Sequence, residues 1–528
     1  MSIQVNVEQK GVVFSVFAQS LARNFQTYTG QKALTIGDKN ISWNNFGQLV
    51  PRIAKGLNAI GCKPGDRVAV LAANTPEHLQ IIYAISWAGC VLVPLNTRLS
   101  PAELAWIILD SESSVLISDK RNLKLANSTI SQINTEIITI QMEEGAFGQS
   151  TITEITPAIS DPAWQASNNE IAALYYTGGT TGQPKGVMIS NQSLVIQTLN
   201  IIQDLNIKTD TNVLHAPPLF HLAGAGVAHA CTFAGATQTF FPDFSPQTYL
   251  AEIQRVQATF ISLVPTMISE IFEENDVDLF LKSVKTLVYG AAPITESLLK
   301  KVLSKCPNIN LIQIYGQTEC TGPCLILPPE RHTLSGPLAG KLGTAGRANM
   351  TSEVRINQQD GTETKRGTPG EILIRGPSTM LGYWKQSSLT SDTLKEGWLH
   401  TGDIGVMDSD GYVTVVDRMK DMIVTGGENV FSAEVENILA SYPGINYCAV
   451  IGVPDKKWGE RVHAIIGVNK GVDVNLESIR SFCKKQIAGY KCPRSIDCIT
   501  DPLPLSGVGK VRKDLLREKF GKGKFKEC

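Results

Sequence analysis

Apolar residues recur at a helical period in some segments and form short strand-like runs in others along the first 170 residues. Segments 46–60 and 76–88 have the helical spacing, whereas 67–71 and 90–94 are short apolar runs beside them. Ser100, followed three residues later by Glu103, predicts the capping box of a further helix. This alternation of helices and strands favours an α/β fold with mainly parallel sheets.

The pattern changes twice in the second half of the chain. Residues 343–416 are rich in turn residues and strand patterns, which predicts a separate antiparallel subdomain. Residues 417–421 (DRMKD) form a short, highly charged break, and we place the domain boundary there. We therefore predict an α/β protein whose large N-terminal domain, residues 1–418, contains α/β sheet subdomains plus a β-rich subdomain. A small, mobile α+β C-terminal domain, residues 419–528, follows.

Composition narrows the class of protein. The chain has 528 residues and a net charge of −1, so no basic field indicates a nucleic-acid partner. The most apolar stretch, residues 81–93, is too short to be a transmembrane segment. The 11 cysteines form no C-x-x-C motif, and the N-terminal residues do not have the pattern of a secretory signal. These features predict reduced thiols in a cytoplasmic protein.

The segment YYTGGTTGQPKG, residues 175–186, places four glycines, three threonines and one lysine between two apolar runs. Glycines let backbone N–H groups approach an anion, and hydroxyl and ammonium groups add donors for phosphate oxygens. The spacing differs from that of the NTPase loop, because Gln183 and Pro184 separate Gly182 from Lys185. The segment predicts a loop that binds a phosphate chain, and a plain β-hairpin turn is the alternative.

Other candidate residues follow predicted strands, where α/β sheets place their ligands. His221 follows one strand, and taken alone it is more simply interpreted as a core histidine. Residues 290–292 (GAA) and 315–319 (YGQTE) follow two more. Glu319 is a candidate Mg²⁺ ligand because the chain already contains a phosphate loop, and Tyr315 is a candidate for stacking on a base. Without that loop, a turn with a surface glutamate would be the simpler interpretation.

Seven motifs in one order resemble those of the adenylate-forming enzymes, which include acyl-CoA and aryl-CoA ligases, peptide-synthetase adenylation domains and firefly-type luciferases. They are YYTGGTTGQPKG, PLFHLAG, YGAAP, YGQTE, GWLHTGD, DRMKDMIVTGGENV and PLSGVGK. The resemblance implies an AMP-forming acyl-CoA synthetase, an acid–thiol ligase that uses ATP, Mg²⁺ and coenzyme A, with residues 1–418 as its AMP-binding domain. In such enzymes the acid attacks the α-phosphate of ATP, which releases pyrophosphate, and the CoA thiol then displaces AMP.

The resemblance also implies roles for residues at the matching positions. Thr177, Lys185, Glu319 and Lys510 would be catalytic, and Thr177 and Glu319 would hold Mg²⁺. Asp403 would accept hydrogen bonds from the ribose hydroxyls, and Lys510 would reach the α-phosphate. The residues implied to bind the nucleotide are Thr177, Gly178, Gly179, Thr180, Thr181, Lys185, Gly290, Ala291, Ala292, Tyr315, Gly316, Thr318, Asp403, Arg418 and Lys510.

A rotation of the small domain is a further implication of the resemblance. The hinge residue of the family corresponds to Lys420. One orientation would bring Lys510 to the site for adenylation. The other would bring Gly426 and Gly427, which would leave a tunnel for the pantetheine arm of CoA.

The acyl group is the least determined of the substrates. The residues implied to lie near it are His221, Ala223, Leu263, Met267, Gly290, Gly316 and Gln317. None of these offers a charge for a second carboxylate. The Gly178-Gly179 pair resembles some fatty acyl-CoA ligases, so we predict a medium- or long-chain fatty acid. The alternative is an aryl acid such as benzoate, cinnamate or ferulate, because segment 343–350 and FHLAG resemble feruloyl-type ligases.

Other functions stay open at this point. Loading of a carrier protein would need a docking surface that the sequence does not reveal, and a luciferase-like monooxygenase shares every motif. Amino-acid activation is disfavoured, because His221 follows Phe220 where amino-acid activators have an aspartate. The expected partners are a small carboxylic acid and CoA, and the sequence leaves open whether the chain forms a homodimer.

Overall fold

The structure, a computed structural model, describes residues 17–142, 170–178, 183–358, 360–468, 474–505 and 511–521. Within these ranges no helix combines the length and the apolar composition that crossing a membrane would require. The strands, in chain order, are β1 (Lys32–Ile36), β2 (Lys39–Ser42), β3 (Arg67–Leu71), β4 (Val91–Pro94), β5 (Ser113–Asp119), β6 (Ile138–Met142), β7 (Ile171–Thr177), β8 (Lys185–Ser190), β9 (Asn212–His215), β10 (Thr237–Phe240), β11 (Phe260–Leu263), β12 (Thr286–Gly290), β13 (Asn310–Gln317), β14 (Gly322–Leu327), β15 (Arg347–Ala348), β16 (Glu353–Asn357), β17 (Gly370–Arg375), β18 (Gly382–Tyr383), β19 (Leu394–Lys395), β20 (Trp398–Met407), β21 (Val413–Arg418), β22 (Ile423–Thr425), β23 (Glu428–Val430), β24 (Ile445–Asp455), β25 (Gly459–Val468) and β26 (Ser495–Ile499).

Helices cover the sheets and connect most of the parallel strands. The described α-helices are α1 (Gln19–Thr27), α2 (Trp43–Ala59), α3 (Pro76–Trp87), α4 (Pro101–Asp110), α5 (Leu123–Ile130), α6 (Asn191–Leu205), α7 (Leu222–Ala234), α8 (Pro246–Val256), α9 (Pro265–Glu273), α10 (Val277–Phe280), α11 (Glu296–Lys305), α12 (Ser387–Thr393), α13 (Ser432–Leu439), α14 (Leu476–Lys484) and α15 (Lys513–Phe520). Short 3₁₀ helices span Lys120–Asn122, Thr318–Cys320 and Pro329–Arg331.

The largest sheet has nine strands in the order β15-β14-β13-β12-β11-β9-β10-β1-β2. Its six central strands, from β13 to β1, are parallel, and antiparallel strands lie at both edges. The carboxyl ends of the parallel strands therefore meet at one edge of the sheet, which is where the predicted site residues occur in sequence.

The second sheet has seven strands in the order β18-β8-β7-β4-β3-β5-β6. Its strands from β7 to β6 are parallel, which confirms the α/β architecture expected for the first part of the chain. The predicted capping box is present at the start of α4, where Ser100 N donates to Glu103 Oε2 at 2.8 Å. That reciprocal pair satisfies amide groups that have no partner within the helix.

The β-rich subdomain is antiparallel, as the sequence predicted. Its sheet has the order β16-β17-β20-β19, and β21 pairs with β20. After β21 the chain enters a smaller α+β unit with the strand order β23-β22-β25-β24, in which β26 pairs with β25. Because this unit has an apolar core of its own, containing Ile423, Val435 and Ile466, it is packed as a separate domain. The boundary after Arg418 stays a prediction.

Candidate active site

The candidate site lies at the carboxyl edge of the nine-stranded sheet, on segments that follow four adjacent parallel strands. His221 and Ala223 follow β9, Leu263 ends β11, Gly290 ends β12, and residues 315–317 end β13. Ala291, directly after β12, has a φ of 64°, a conformation that L-residues other than glycine, Asn and Asp rarely adopt. Ala292 and Thr318 are half-buried at the same edge. The fold therefore gathers motifs that are far apart in sequence.

Two glycines at this edge are explained by the approach of neighbouring strands. A Cβ on Gly290 would collide with the carbonyl oxygen of Ile314 in β13, and a Cβ on Gly316 would collide with that of Gly322 in β14. Any other residue would place a Cβ in these collisions, so packing within the sheet requires glycine at both positions. Their smallness therefore gives no separate evidence for space around an acyl group.

Two of the predicted acyl-contact residues belong to an apolar core. Leu263 is 2% exposed and packs in the same cluster as Tyr289, and Met267 in α9 packs against that cluster. His221 precedes α7 as its N-cap residue, and Ala223 lies half-buried in the first turn of that helix. All four lie close to the sheet edge in topology, but their contact with an acyl group stays a prediction.

Asp403, in β20, is a buried carboxylate that three side chains of the large domain contact. Its side chain is nearly enclosed, with the residue 5% exposed. Tyr315 donates its hydroxyl hydrogen to Asp403 Oδ2 at 2.7 Å, and the Gln317 amide donates to the same oxygen at 2.9 Å. Arg418 Nε lies 3.4 Å from Oδ1. Burial, and secondarily the Asp403 charge, raises the pKa of Tyr315 well above its ordinary value, so the phenol remains a donor.

The turn that precedes Asp403 is fixed by a second carboxylate. Glu371 Oε2 is 2.7 Å from His400 Nδ1, and Glu371 Oε1 accepts from the backbone N–H of Gly402 at 3.1 Å. Gly402 has a φ of 68°, the left-handed conformation that favours glycine. The motif GWLHTGD thus combines a backbone turn with the carboxylate that follows it. The sequence analysis did not select Glu371, because it lies on β17 rather than near the motif.

The predicted phosphate loop connects two antiparallel strands. Thr177 ends β7 and pairs with Lys185, the first residue of β8. Gly178 is exposed, and a Cβ placed on it would meet no described atom within 4 Å. The loop predicted to bind phosphate therefore begins at an exposed residue. Three of its predicted nucleotide-binding residues lie outside the described residues: Gly179, Thr180 and Thr181.

Tyr383 joins the phosphate-loop lysine to the candidate magnesium ligand. Its hydroxyl donates to Glu319 Oε1 at 2.9 Å, and its ring centre lies 5.5 Å from Lys185 Nζ. Tyr383 reaches this position because β18 pairs with β8, opposite Val187. The sequence analysis missed Tyr383, since no local spacing connects a tyrosine to a glutamate 64 residues away. The signal that could have identified Tyr383 is its place in a strand next to the phosphate loop, and that strand pairing becomes known only from the fold.

The residues near Glu319 fit a magnesium ion that is held mainly through substrate phosphates. Among the described residues no group of three or more His, Cys, Asp or Glu side chains could hold a metal by itself. Mg²⁺ commonly binds through one or two carboxylates plus phosphate oxygens and water. Glu319 would supply one carboxylate and Thr177 one hydroxyl, and both are oxygen donors of the kind that this ion prefers.

Two candidate residues of the small domain are exposed glycines. Gly426 and Gly427 lie between β22 and β23, and both are exposed. Lys420 is in the turn that follows β21, whereas Lys510 lies outside the described residues. Arg512 forms a hydrogen bond with Asp514, and this bond, followed by the charges of Asp514 and of Glu103 in the large domain, raises the pKa of Arg512.

The structure therefore forms two sets of contacts among the candidate residues. Tyr383 joins Lys185 to Glu319, and Asp403 is contacted by Tyr315, Gln317 and Arg418. The family model of AMP-binding enzymes matches residues 21–384, and the model of their C-terminal domain matches residues 434–510. The chain belongs to the AMP-binding enzyme family.

Individual relatives narrow the class of reaction. The chain is 35% identical to a feruloyl-CoA synthase from Amycolatopsis sp, over 93% of this chain and 96% of that protein. It is 30% identical to a long-chain-fatty-acid–CoA ligase from Mycobacterium tuberculosis, over 92% and 94%. The ATP-bound structure of MatB from Rhodopseudomonas palustris superposes with a TM-score of 0.87 at 27% identity, covering 96% of this chain and 99% of that one. The protein is an ATP-dependent, AMP-forming acid–CoA ligase that uses Mg²⁺.

Proposed function

We propose that this ligase activates an aryl acid of the benzoate, cinnamate or ferulate type and transfers it to CoA. The observation that most strongly supports this proposal is the 35% identity to a feruloyl-CoA synthase along almost the whole of both chains. The long-chain-fatty-acid–CoA ligase has a similar coverage but a lower identity of 30%. The relatives thus support the aryl alternative more strongly than the medium- or long-chain fatty acid that the sequence analysis favoured.

The contacts at the sheet edge explain two of the small residues that the sequence analysis placed near the acyl group, Gly290 and Gly316. Both are required by the carbonyl oxygens of neighbouring strands, so their size favours neither a fatty acid nor an aryl acid. The preference for a fatty acid therefore depends on the Gly178-Gly179 pair. The Gly178-Gly179 pair belongs to the phosphate loop, which is expected to contact pyrophosphate rather than the acyl group.

In the first half-reaction, an oxygen of the acid attacks the α-phosphorus of ATP, and the bond to the β-phosphate oxygen breaks. Thr177, Lys185 and the intervening loop bind the β- and γ-phosphates, which leave as pyrophosphate. Glu319 and Thr177 would hold Mg²⁺, which would supply neutralisation of charge on these phosphates. Tyr383 orients the Glu319 carboxylate through its hydroxyl. Asp403 binds the ribose, with Tyr315 and Arg418 beside it.

In the second half-reaction, the CoA thiol attacks the acyl carbonyl carbon and AMP leaves with the bonding electrons. Lys510 stabilises charge on the α-phosphate during the first step, and Gly426 and Gly427 admit the pantetheine arm during the second. The exposed position of these glycines supports an orientation suited to adenylation. A rotation about Lys420 then prepares the thiol step.

A pyrophosphate-release screen tests the acid and the acceptor together. We would compare benzoate, cinnamate, ferulate, decanoate and palmitate, each with and without CoA, and identify products by mass. We expect kcat/KM for the preferred aryl acid to exceed that for decanoate by at least about tenfold, a discrimination of about 1.4 kcal/mol. A preference for decanoate or palmitate would overturn the aryl proposal. An acyl-AMP that accumulates without forming acyl-CoA would indicate a carrier-protein acceptor.

A further inference from the structure

The Gln317 side chain contacts Asp403, the carboxylate predicted to bind the ribose of the nucleotide, although the sequence analysis placed Gln317 beside the acyl group. Its Nε2 donates to Asp403 Oδ2 at 2.9 Å and to the carbonyl oxygen of Thr401 at 2.9 Å. Both hydrogens of the amide are therefore used. One bond reaches the carboxylate itself, and the other reaches the backbone two residues before it. Gln317 thus links the end of β13 to the motif in β20 that contains Asp403.

The two carboxylate oxygens of Asp403 have unequal surroundings. Oδ2 accepts hydrogen bonds from Tyr315 and Gln317, which fills the acceptor positions of one carboxylate oxygen. Among the described residues, Oδ1 lies 3.4 Å from Arg418 Nε, and the Arg418 side chain is 41% exposed. Oδ1 is therefore the oxygen with acceptor capacity for a ligand.

We propose that Gln317 is a positioning residue that fixes Asp403 through Oδ2 and leaves Oδ1 to the ribose hydroxyls of the nucleotide. This inference rests on the proposed role of Asp403 as the ribose carboxylate. Glutamine meets three requirements at this position. Its amide is neutral, it donates two hydrogen bonds from one nitrogen, and it is long enough to reach both acceptors. Glutamate would place a second negative charge beside Asp403, and leucine would remove both bonds.

The arrangement also explains why Tyr315 alone does not fix the carboxylate. A single hydrogen bond to Oδ2 lets the carboxylate rotate about that bond, whereas two donors from different directions define its plane. Tyr315 and Gln317 lie two residues apart on β13, and both side chains reach Asp403 Oδ2. Gly316 between them closely approaches β14, which keeps this part of the strand in place.

Binding of AMP and of 2′,3′-dideoxy-AMP to the full chain, measured by calorimetry, tests the inference. We expect Gln317→Leu to weaken AMP binding about tenfold, because a hydrogen bond to a charged group is lost. Binding of 2′,3′-dideoxy-AMP, which lacks both hydroxyls, should change less than about twofold, since the coupling acts through those hydroxyls. Gln247→Leu is the matched control, because Gln247 donates to the Glu274 carboxylate at a remote, exposed site.

The Gln317→Glu variant supplies a second readout. At neutral pH its added charge should weaken AMP binding, and affinity should recover as the pH is lowered, because the protonated carboxyl can donate to Asp403. Wild-type protein should not show that recovery. A melting temperature within a few degrees of wild type for either variant would exclude loss of fold as the cause.

Three results would overturn the inference. The first is an equal loss of affinity for AMP and 2′,3′-dideoxy-AMP in Gln317→Leu, which would indicate a general structural role. The second is unchanged AMP binding together with a raised KM for the preferred acid, which would return Gln317 to the acyl group. The third is Asp403→Ala that keeps the discrimination between AMP and 2′,3′-dideoxy-AMP, which would refute the ribose assignment itself. Of the three, only the third result would also contradict the proposed function, because that function assigns ribose binding to Asp403.

Discussion

The Asp403 cluster and the junction between the domains are both built from buried polar contacts, but they differ in which parts of the chain they join. At Asp403 the contacting side chains are Tyr315, Gln317 and Arg418, all within the large domain. A rotation of the small domain about Lys420 would leave these contacts unchanged. The ribose end of the site is therefore expected to persist through both half-reactions.

At the junction, the contacts join residues on either side of the predicted hinge, Lys420. Asp417 Oδ2 accepts from the hydroxyl of Ser432 at 2.7 Å and also from its backbone N–H. Lys513 donates to the Ser432 hydroxyl at 2.6 Å and pairs with Glu436 at 2.7 Å. Asp417 precedes Lys420, whereas the other three residues follow it. A rotation would break the Asp417 contacts, so this junction is specific to one orientation.

The difference between the two regions leads us to expect that the residues around Asp403 bind the nucleotide in both half-reactions, whereas residues of the small domain act in one. Substitutions in the small domain should therefore affect one half-reaction and spare the other, whereas substitutions around Asp403 should affect every nucleotide complex. Half-reactions can be measured separately, by ATP–pyrophosphate exchange for adenylation and by single turnover of the preformed acyl-adenylate with CoA.

The largest effect is expected for Lys510→Ala. Loss of one positioned cation at the α-phosphate should lower adenylation by about a thousandfold, the scale of one oxyanion donor. Thioester formation from preformed acyl-AMP should change less than about twofold, because Lys510 acts in the first step. Lys485→Ala, at an exposed lysine of the same domain, is the control. Equal losses in both half-reactions would contradict the comparison and the role of Lys510.

A smaller effect in the opposite half-reaction is expected for Gly427→Phe. The side chain would occupy the tunnel proposed for pantetheine and slow thioester formation by up to about a hundredfold, while exchange persists. Gly361→Phe is a matched control, since the two glycines have φ of 85° and 86° and a Cβ on either would meet no described atom within 4 Å. Both variants therefore carry the same backbone strain. A collapse of exchange in Gly427→Phe alone would refute the tunnel assignment.

Local sequence patterns predicted most elements of the fold. The capping box at Ser100 and the parallel strands of the first part of the chain follow from short-range rules, as does the antiparallel character of residues 343–416. These features depend on residues within about one turn or one strand of each other. The order of strands within the nine-stranded sheet was not predicted, because pairing between β10 and β1 joins segments far apart in the chain.

The candidate site was predicted as a set of residues but not as a set of contacts. The motifs identified Glu319 and Asp403, yet they gave no indication that Tyr383 contacts the first or that Gln317 contacts the second. Each of those partners is brought into place by strand pairing, and a tyrosine or glutamine in a strand has many common uses. The contacts across the hinge were missed for the same reason, because Ser432 gave no signal beyond starting a helix.

The smallest expected effect, and the sharpest test of the comparison, is that of Ser432→Ala. The substitution removes the hydroxyl that links Asp417 to Lys513, while the backbone N–H of residue 432 still donates to Asp417. If this orientation loses about 1 kcal/mol of stabilising free energy, the equilibrium between the two orientations shifts by about fivefold. Because we propose that this orientation serves adenylation, we expect adenylation to slow and thioester formation to quicken. Ser441→Ala, whose hydroxyl donates within its own domain to the carbonyl oxygen of Ile438, should change neither. Equal changes in both half-reactions would mean that the junction stabilises the fold without selecting an orientation.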